Sequence, residues 1–150
     1  MLATVSIPQS VTTSVMLKLL NLSFIPKSTN LGLLILRVTL GVSMLMLHGK
    51  NKLLNFSTVA EKFPALFGLP SHVNLGLAVF AEVFCSILLI AGFLTRLAAL
   101  MLGVTMATAF FMAHNAALSG PGSGELALVY LFGYVALLFT GAGRHSVDRG

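Results

Sequence analysis

Long apolar runs, separated by short polar segments, dominate the chain. Four such runs occur, at residues 31–47, 73–94, 97–118 and 126–143. Each approaches or exceeds the ~20 residues that an α-helix needs to cross a bilayer. Only two contain a charged residue, Arg37 in the first and Glu82 in the second. Because the polar and apolar residues do not alternate as in a β-barrel, we predict an all-α integral membrane protein, a bundle of four transmembrane helices.

The segments between the runs define the organisation of the chain. We predict one domain over residues 31–143, with spans at about 31–49, 73–94, 97–118 and 125–142, and a tail over 144–150. Thr95–Arg96 would form a tight turn, and a Gly/Pro-rich segment at 119–124 would join the last two spans. The longest loop joins the first two spans, and we expect a short helix in it around Thr58 to Phe67. For residues 1–30 two interpretations stay open, an interfacial amphipathic helix over Val11 to Phe24 or a disordered tail.

Composition agrees with a lipid environment. The chain is 57% hydrophobic and 9% charged, with mean hydropathy +0.97, whereas soluble domains carry about 25% charged residues. An even number of spans puts both termini on one side, with five basic residues: Lys18, Lys27, Arg96, Arg144 and Arg149. The other side carries three: Lys50, Lys52 and Lys62. The positive-inside rule therefore predicts cytoplasmic termini, and the net charge of +5 indicates contact with anionic lipid rather than nucleic acid.

Charges within the spans are costly, at about 2.5–3.5 kcal/mol each at mid-bilayer. Helix geometry places Arg37 about 18 Å and Glu82 about 14 Å below the outer ends of their spans. We therefore predict that Arg37 and Glu82 face each other as an ion pair, directly or through water. The alternative is a purely structural pair that fixes the helix register. The single cysteine, Cys85, excludes an intramolecular disulfide or a CxxC pair.

A second polar set is predicted nearer the outer surface. It consists of His48, His114 and Glu125. Helical periodicity puts each on a face with small residues, so we expect a ligand pocket at Arg37, His48, Glu82, His114 and Glu125, lined by Met44, Ser86, Phe110 and Tyr130. On the first span this face would read Arg37, Gly41, Met44 and His48, and on the second it would read Leu75, Ala78, Glu82, Ser86 and Leu89. On the fourth span it would read Glu125, Val129, Phe132 and Ala136. The simpler interpretations are an interfacial or core histidine and a helix N-terminal carboxylate. The spacing does not favour a metal site.

The ordered series of motifs resembles the DoxX family of small bacterial membrane proteins. The matching stretches are Leu36–Arg37, His48–Gly49–Lys50 with Lys52, Glu82, Ala91 to Ala99, Gly124 to Ala127 with Tyr130, and Gly141 to Arg144 with Ser146 to Asp148. The resemblance covers about residues 30–149. It implies a four-helix protein of the bacterial inner membrane. Some relatives are subunits of quinone-linked sulfur oxidation, and others associate with thiol-redox or superoxide-detoxifying partners.

Three functions fit these observations, and no self-contained catalytic motif decides whether the protein is an enzyme. The first is a redox-associated membrane subunit that binds a quinone or similar lipid-soluble molecule. His48 or His114 would donate to it, Glu125 would be an outer proton gate, and Arg37–Glu82 would form the polar floor. The second is an assembly subunit that docks a redox-protein partner. The third is a small-solute or proton transporter, acting as a homo-oligomer.

Overall fold

Six helices make up the regular structure of the computed structural model, which describes residues 9–148. They are α1 (Gln9–Leu20), α2 (Thr29–Leu54), α3 (Phe56–Ala60), α4 (Ser71–Ala91), α5 (Thr95–Ala113) and α6 (Glu125–Thr140). All regular structure within this part of the chain is helical, as the apolar pattern predicts.

The helices enclose a buried apolar core, and their outer surface is apolar as well. Three of them, α2, α4 and α5, are long and apolar enough to span a membrane, and α6 is a shorter apolar helix. Large apolar side chains lie on the outside, among them Leu47, Leu54 and Phe139, which are 70%, 71% and 79% exposed. Exposing so much apolar surface to water would be unfavourable in free energy, whereas lipid chains solvate it. The protein is therefore a multi-pass membrane protein.

The N-terminal segment is helical over α1. Its described side chains are exposed, including the apolar Met16, Leu19 and Leu20. A turn then leads to Ser28, whose hydroxyl accepts a hydrogen bond from the Leu31 N–H at 3.2 Å and caps α2.

Glycines set the close approach of α2 to α4. A Cβ on Gly41 would lie 3.1 Å from the Ser86 carbonyl oxygen, and one on Gly49 would lie 2.7 Å from the Glu82 carbonyl oxygen. Small residues allow backbones to meet in this way in lipid. The two contacts fix an antiparallel register in which Gly49 is level with Glu82.

The structure sets helix ends that differ from the predicted spans. The first long helix continues past residue 49 to Leu54, whereas α4 and α5 end at Ala91 and Ala113. The turn after α4 occupies residues 92–94 rather than Thr95–Arg96, which lie in α5. Gly92 has φ +70° there and its N–H bonds back to the Leu88 carbonyl oxygen at 2.9 Å, so this left-handed glycine ends the helix.

The predicted inward faces of the helices are right for α2 and α4 and wrong for α6. On α4 the residues at helical spacing around Glu82 are buried, from Leu75 to Leu89. On α6, in contrast, Val129 and Phe132 are 61% and 64% exposed, and the buried face carries Tyr130 and Tyr134 instead. The α6 prediction assumed that Glu125 points into the bundle. Glu125 is the first residue of α6 and is exposed, so the face aligned with it is not the interior face.

Candidate functional site

A buried ion pair lies between α2 and α4. The Lys52 ammonium binds the Glu82 carboxylate, and the two side chains are 24% and 2% exposed. Glu82 is therefore an interior charge with a direct counter-ion. Lys52 reaches it from the end of α2, in a segment that the sequence assigned to the loop.

The predicted pairing of Arg37 with Glu82 is wrong. Arg37 lies at the level of Gly92, where a Cβ on the glycine would overlap its guanidinium. Gly92 is ten residues beyond Glu82, so the two charges are separated by about 15 Å along the bundle. The prediction failed because it measured depth from the wrong helix ends: α2 extends five residues further, and this brings Lys52 rather than Arg37 to Glu82.

Arg37 instead holds the C-terminal segment at the opposite end of the bundle. It is 1% exposed, and its Nη2 donates to the His145 carbonyl oxygen. The Asp148 carboxylate accepts hydrogen bonds from the Leu94 and Thr95 N–H groups, both at 2.9 Å. The C-terminal segment, residues 141–148, thus packs against the turn between α4 and α5. Arg37 anchors this segment and does not contribute to the site at Glu82.

A group of polar and aromatic side chains lies inside the bundle on α2, α4 and α6. The ring of His48 meets Tyr130 edge-on at 5.9 Å between centroids, and Tyr130 stacks on Tyr134 at 6.0 Å. Ser86 follows one turn after Glu82 on the same helix and is fully buried. We call His48, Glu82, Ser86, Tyr130 and Tyr134 the interior cluster.

Two π-helical turns shape this cluster. They occupy Leu45–Gly49 in α2 and Phe80–Cys85 in α4, so one contains His48 and the other Glu82. A third, Ala109–Ala113, ends α5 just before His114. Such turns insert one extra residue into a helix and recur at functional sites. Hydrophobic periodicity cannot detect them, because one residue hardly changes the apolar pattern.

A cavity of about 390 Å³ lies beside the ion pair, between α4, α5 and the loop before α4, which comprises residues 61–70. This volume is within the ~300–1,000 Å³ typical of small-molecule sites. Polar groups border it at Lys52, Asn74, Glu82, Thr105, Thr108 and His114. The remaining walls are apolar and include Leu77 and Val104, which are 56% and 57% exposed. Since those two residues face outward, the cavity is accessible from the lipid between α4 and α5.

The loop before α4 covers the cavity on the side of the ion pair. Phe63 contributes to the wall, and its ring centroid is 6.0 Å from the Lys52 ammonium. The buried Asn74 amide donates to the carbonyl oxygens of Leu66 and Leu69, at 3.1 and 3.0 Å. These bonds hold the loop over the cavity. From Asn74 to Glu82 the cavity wall runs about 12 Å along α4.

His114 stands at the outer part of the cavity. Its Nδ1 is 2.7 Å from the Gly122 carbonyl oxygen. Because a carbonyl only accepts, Nδ1 carries the proton, and in the neutral ring Nε2 is then an acceptor. Glu125, predicted to converge with it, is exposed at the start of α6 and is not part of the cavity wall.

The predicted site therefore separates into parts. Glu82 and His114 border the cavity, and His48, Ser86 and Tyr130 belong to the interior cluster. Met44 and Phe110 are apolar core residues, 0% and 6% exposed.

Several cavity and cluster residues lie outside the site predicted from the sequence, namely Lys52, Asn74, Thr105, Thr108 and Tyr134. Lys52 carried a usable signal, because it lies one helical turn after His48 on the same side of α2. The threonines and Asn74 carried none, since such residues occur often in membrane helices for packing.

An apolar helical bundle with an ion pair and a lipid-accessible cavity inside it defines a small multi-pass membrane protein with a ligand-sized site. The sequence model of the DoxX family matches residues 32–115, which is more than half of the chain. The protein belongs to the DoxX family, and the resemblance seen in its motifs is confirmed.

Two relatives come from Haemophilus influenzae, and both are described as uncharacterized proteins. One is 37% identical over 114 residues, covering 71% of this chain and 81% of the relative. The other is 32% identical over 96 residues, covering 62% of this chain and 64% of the relative. No solved structure matches the chain.

Proposed function

We propose that the protein is a redox-associated membrane subunit that binds a quinone or a similar lipid-soluble molecule in the cavity beside Lys52 and Glu82. The observation that carries the proposal is an apolar cavity, accessible from lipid, that borders a buried ion pair. A hydrophobic molecule dissolved in the bilayer reaches such a site without crossing water. The polar groups then distinguish a ligand with a polar head from an ordinary acyl chain.

The residues fit a quinone headgroup in chemical terms. A quinone presents carbonyl oxygens, which need hydrogen-bond donors. The Lys52 ammonium has three N–H donors and directs one at Glu82, so others are free to bind a ligand oxygen. Glu82 borders the cavity, and its carboxylate is an acceptor for the hydroxyl of the reduced form.

The apolar walls would hold the rest of the molecule. Leu77 and Val104 flank the lipid side, so a hydrophobic tail leaves between α4 and α5. Phe63 and the loop before α4 exclude water from the polar end. A quinone bound here supplies two-electron redox chemistry; the protein binds it, orients its oxygen atoms and shields them.

The test is retention and rebinding of quinone. The protein is purified in mild detergent, and extracted quinone is quantified per protein by mass spectrometry. Stripped protein is then titrated with a short-tailed ubiquinone. We expect stoichiometric retention and saturable rebinding. Protein that carries no quinone and does not bind the added compound would refute the proposal.

A matched pair of variants tests the location. Thr105 and Thr140 each donate a hydroxyl hydrogen bond to the carbonyl four residues earlier, at 2.9 and 2.8 Å, but only Thr105 borders the cavity. Thr105→Phe fills the cavity and should abolish quinone binding. Thr140→Phe changes the exposed end of α6 and should leave it unchanged. Equal binding by both variants would place the quinone elsewhere.

A further inference from the structure

Seven buried side-chain polar atoms have no hydrogen-bond partner among the described residues. Three of them, on Arg37 and Thr95, lie at the end of the bundle that contacts the C-terminal segment, and the other four lie in the interior cluster. These four are His48 Nε2, Glu82 Oε2, Ser86 Oγ and Tyr134 OH. The side chains of Glu82, Ser86 and Tyr134 are 2%, 0% and 0% exposed. A polar atom removed from water without a partner is strongly destabilising, and native proteins satisfy nearly all of them.

The four atoms of the interior cluster lie close together in the fold. Ser86 lies one helical turn from Glu82, and both are on the buried face of α4. A Cβ on Gly49, the neighbour of His48, would lie 2.7 Å from the Glu82 carbonyl oxygen, so His48 and Glu82 lie side by side on α2 and α4. Tyr130 links the His48 and Tyr134 rings through its two aromatic contacts. Three helices, α2, α4 and α6, thus direct unpaired polar atoms into one region.

We propose that the interior cluster is a water-binding site, with bound water bridging His48, Glu82, Ser86 and Tyr134. A buried water typically makes about three hydrogen bonds to otherwise unpaired groups, so one or two molecules satisfy this set. The hydroxyls of Ser86 and Tyr134 can donate to water or accept from it, and Glu82 Oε2 accepts.

The water has a defined task at Glu82. Lys52 binds one carboxylate oxygen, and water solvates the other, so the charge is stabilised inside the bundle. Because Glu82 also borders the cavity, the hydrated cluster extends the polar wall of the cavity into the bundle. The water site follows from the interior geometry alone. Any contribution of this water to binding a ligand in the cavity rests on the function proposed above.

X-ray hydroxyl-radical footprinting in ¹⁸O-labelled water tests the site on ligand-free protein, because radicals formed from bound water oxidise adjacent side chains. We expect Tyr134 and His48 to be labelled at rates like that of His72, which is exposed at the start of α4. Phe110 is the control, a core residue 6% exposed in apolar surroundings. Labelling of Tyr134 no faster than that of Phe110 would overturn the proposal. This result would leave the quinone proposal untouched, since that depends on the retention assay.

Variants provide a second, independent readout. Tyr134→Phe and Ser86→Ala each remove one polar atom and keep the packing. With bound water, the double variant loses water ligands, so we expect a lower Tm and a severalfold fall in His48 labelling. In a dry cluster the same variant removes two unsatisfied atoms, so a raised Tm with labelling at background would refute the proposal. Thr140→Val, which removes an exposed hydroxyl, should change neither.

Discussion

The Lys52 ammonium and the Glu82 carboxylate form an ion pair across two antiparallel helices, thirty residues apart in sequence. The pair lies where the cavity, the loop before α4 and the interior cluster meet. One contact therefore connects the stability of the bundle to the chemistry of its candidate site.

Removing the lysine should destabilise the protein more than removing the pair. Lys52→Met leaves the Glu82 carboxylate buried without its counter-ion, which we expect to cost about 3 kcal/mol of unfolding free energy. The measurement is SDS-induced unfolding followed by far-ultraviolet circular dichroism. Lys52→Met/Glu82→Gln should recover most of the loss. Lys50→Met, at an exposed neighbouring position, should have little effect. Equal losses in Lys52→Met and Lys50→Met would contradict the pairing.

The contact of Gly49 with α4 predicts a position-specific effect of one methyl group. A Cβ on Gly49 meets the backbone of Glu82 at 2.7 Å, so Gly49→Ala forces the two helices apart. We expect a loss of about 1–3 kcal/mol in the same unfolding assay. Gly76→Ala on α4 meets nothing within 4 Å and should gain up to about 1 kcal/mol from helix propensity. A neutral Gly49→Ala would show that α2 and α4 are not in close contact there.

Asp148 gives the C-terminal segment a dependence on pH. The pKa of this carboxyl is lowered, first by the hydrogen bond from the Thr95 N–H and further by that from Leu94 and by the charge of Arg37. Because the pKa is lower in the folded state, the ionised carboxylate stabilises the fold at pH values above the ordinary carboxyl pKa of about 4. This stabilisation is lost as the pH falls through the pKa of the folded state. Because Asp148 is exposed, solvent screens its charge, and Asp148→Ala should cost at most about 1 kcal/mol at neutral pH.

The same difference should shrink below about pH 4. Unfolding of the wild type and Asp148→Ala is compared across pH in one detergent. A difference that stays constant into strong acid would show that the carboxylate charge plays no part in the cap.

Asn74 should control the mobility of the loop over the cavity. Asn74→Ala frees the carbonyl oxygens of Leu66 and Leu69, so hydrogen exchange of residues 63–69 should accelerate. Asn55→Ala is the control, because the Asn55 amide donates only to Asn51 and both are exposed. Unchanged exchange in Asn74→Ala would mean that other contacts hold the loop.

The charge distribution predicts the orientation of the protein in its membrane. The Arg144 N–H donates to the Asn30 side chain, and the Arg96 side chain donates to the Leu138 carbonyl oxygen near the end of α6, so both basic residues lie at the same end of the bundle. We expect this end to be cytoplasmic. A C-terminal fluorescent-protein fusion should fluoresce, and a C-terminal alkaline phosphatase fusion should be inactive. The reverse pattern would invert the topology.

The sequence by itself determined the class of the protein and much of its local structure. Apolar runs of spanning length require helices in lipid, because each backbone group must be satisfied within its own segment. The period of 3.6 residues placed Glu82, Ser86 and Leu89 on one buried face of α4, as the structure confirms. These features depend on residues near one another in the chain, so a pattern reports them.

Only the tertiary structure decided which groups meet. Lys52 rather than Arg37 reaches Glu82, because Gly49 against α4 sets the helix register and α2 continues to Leu54. The burial of Tyr134 depends on how α6 is rotated about its axis against α5. The sequence of α6 is apolar on nearly all sides, so it does not specify that rotation. The cavity exists only where α4, α5 and a distant loop come together. Contacts between residues far apart in sequence fix all three features, and local periodicity contains no information about them.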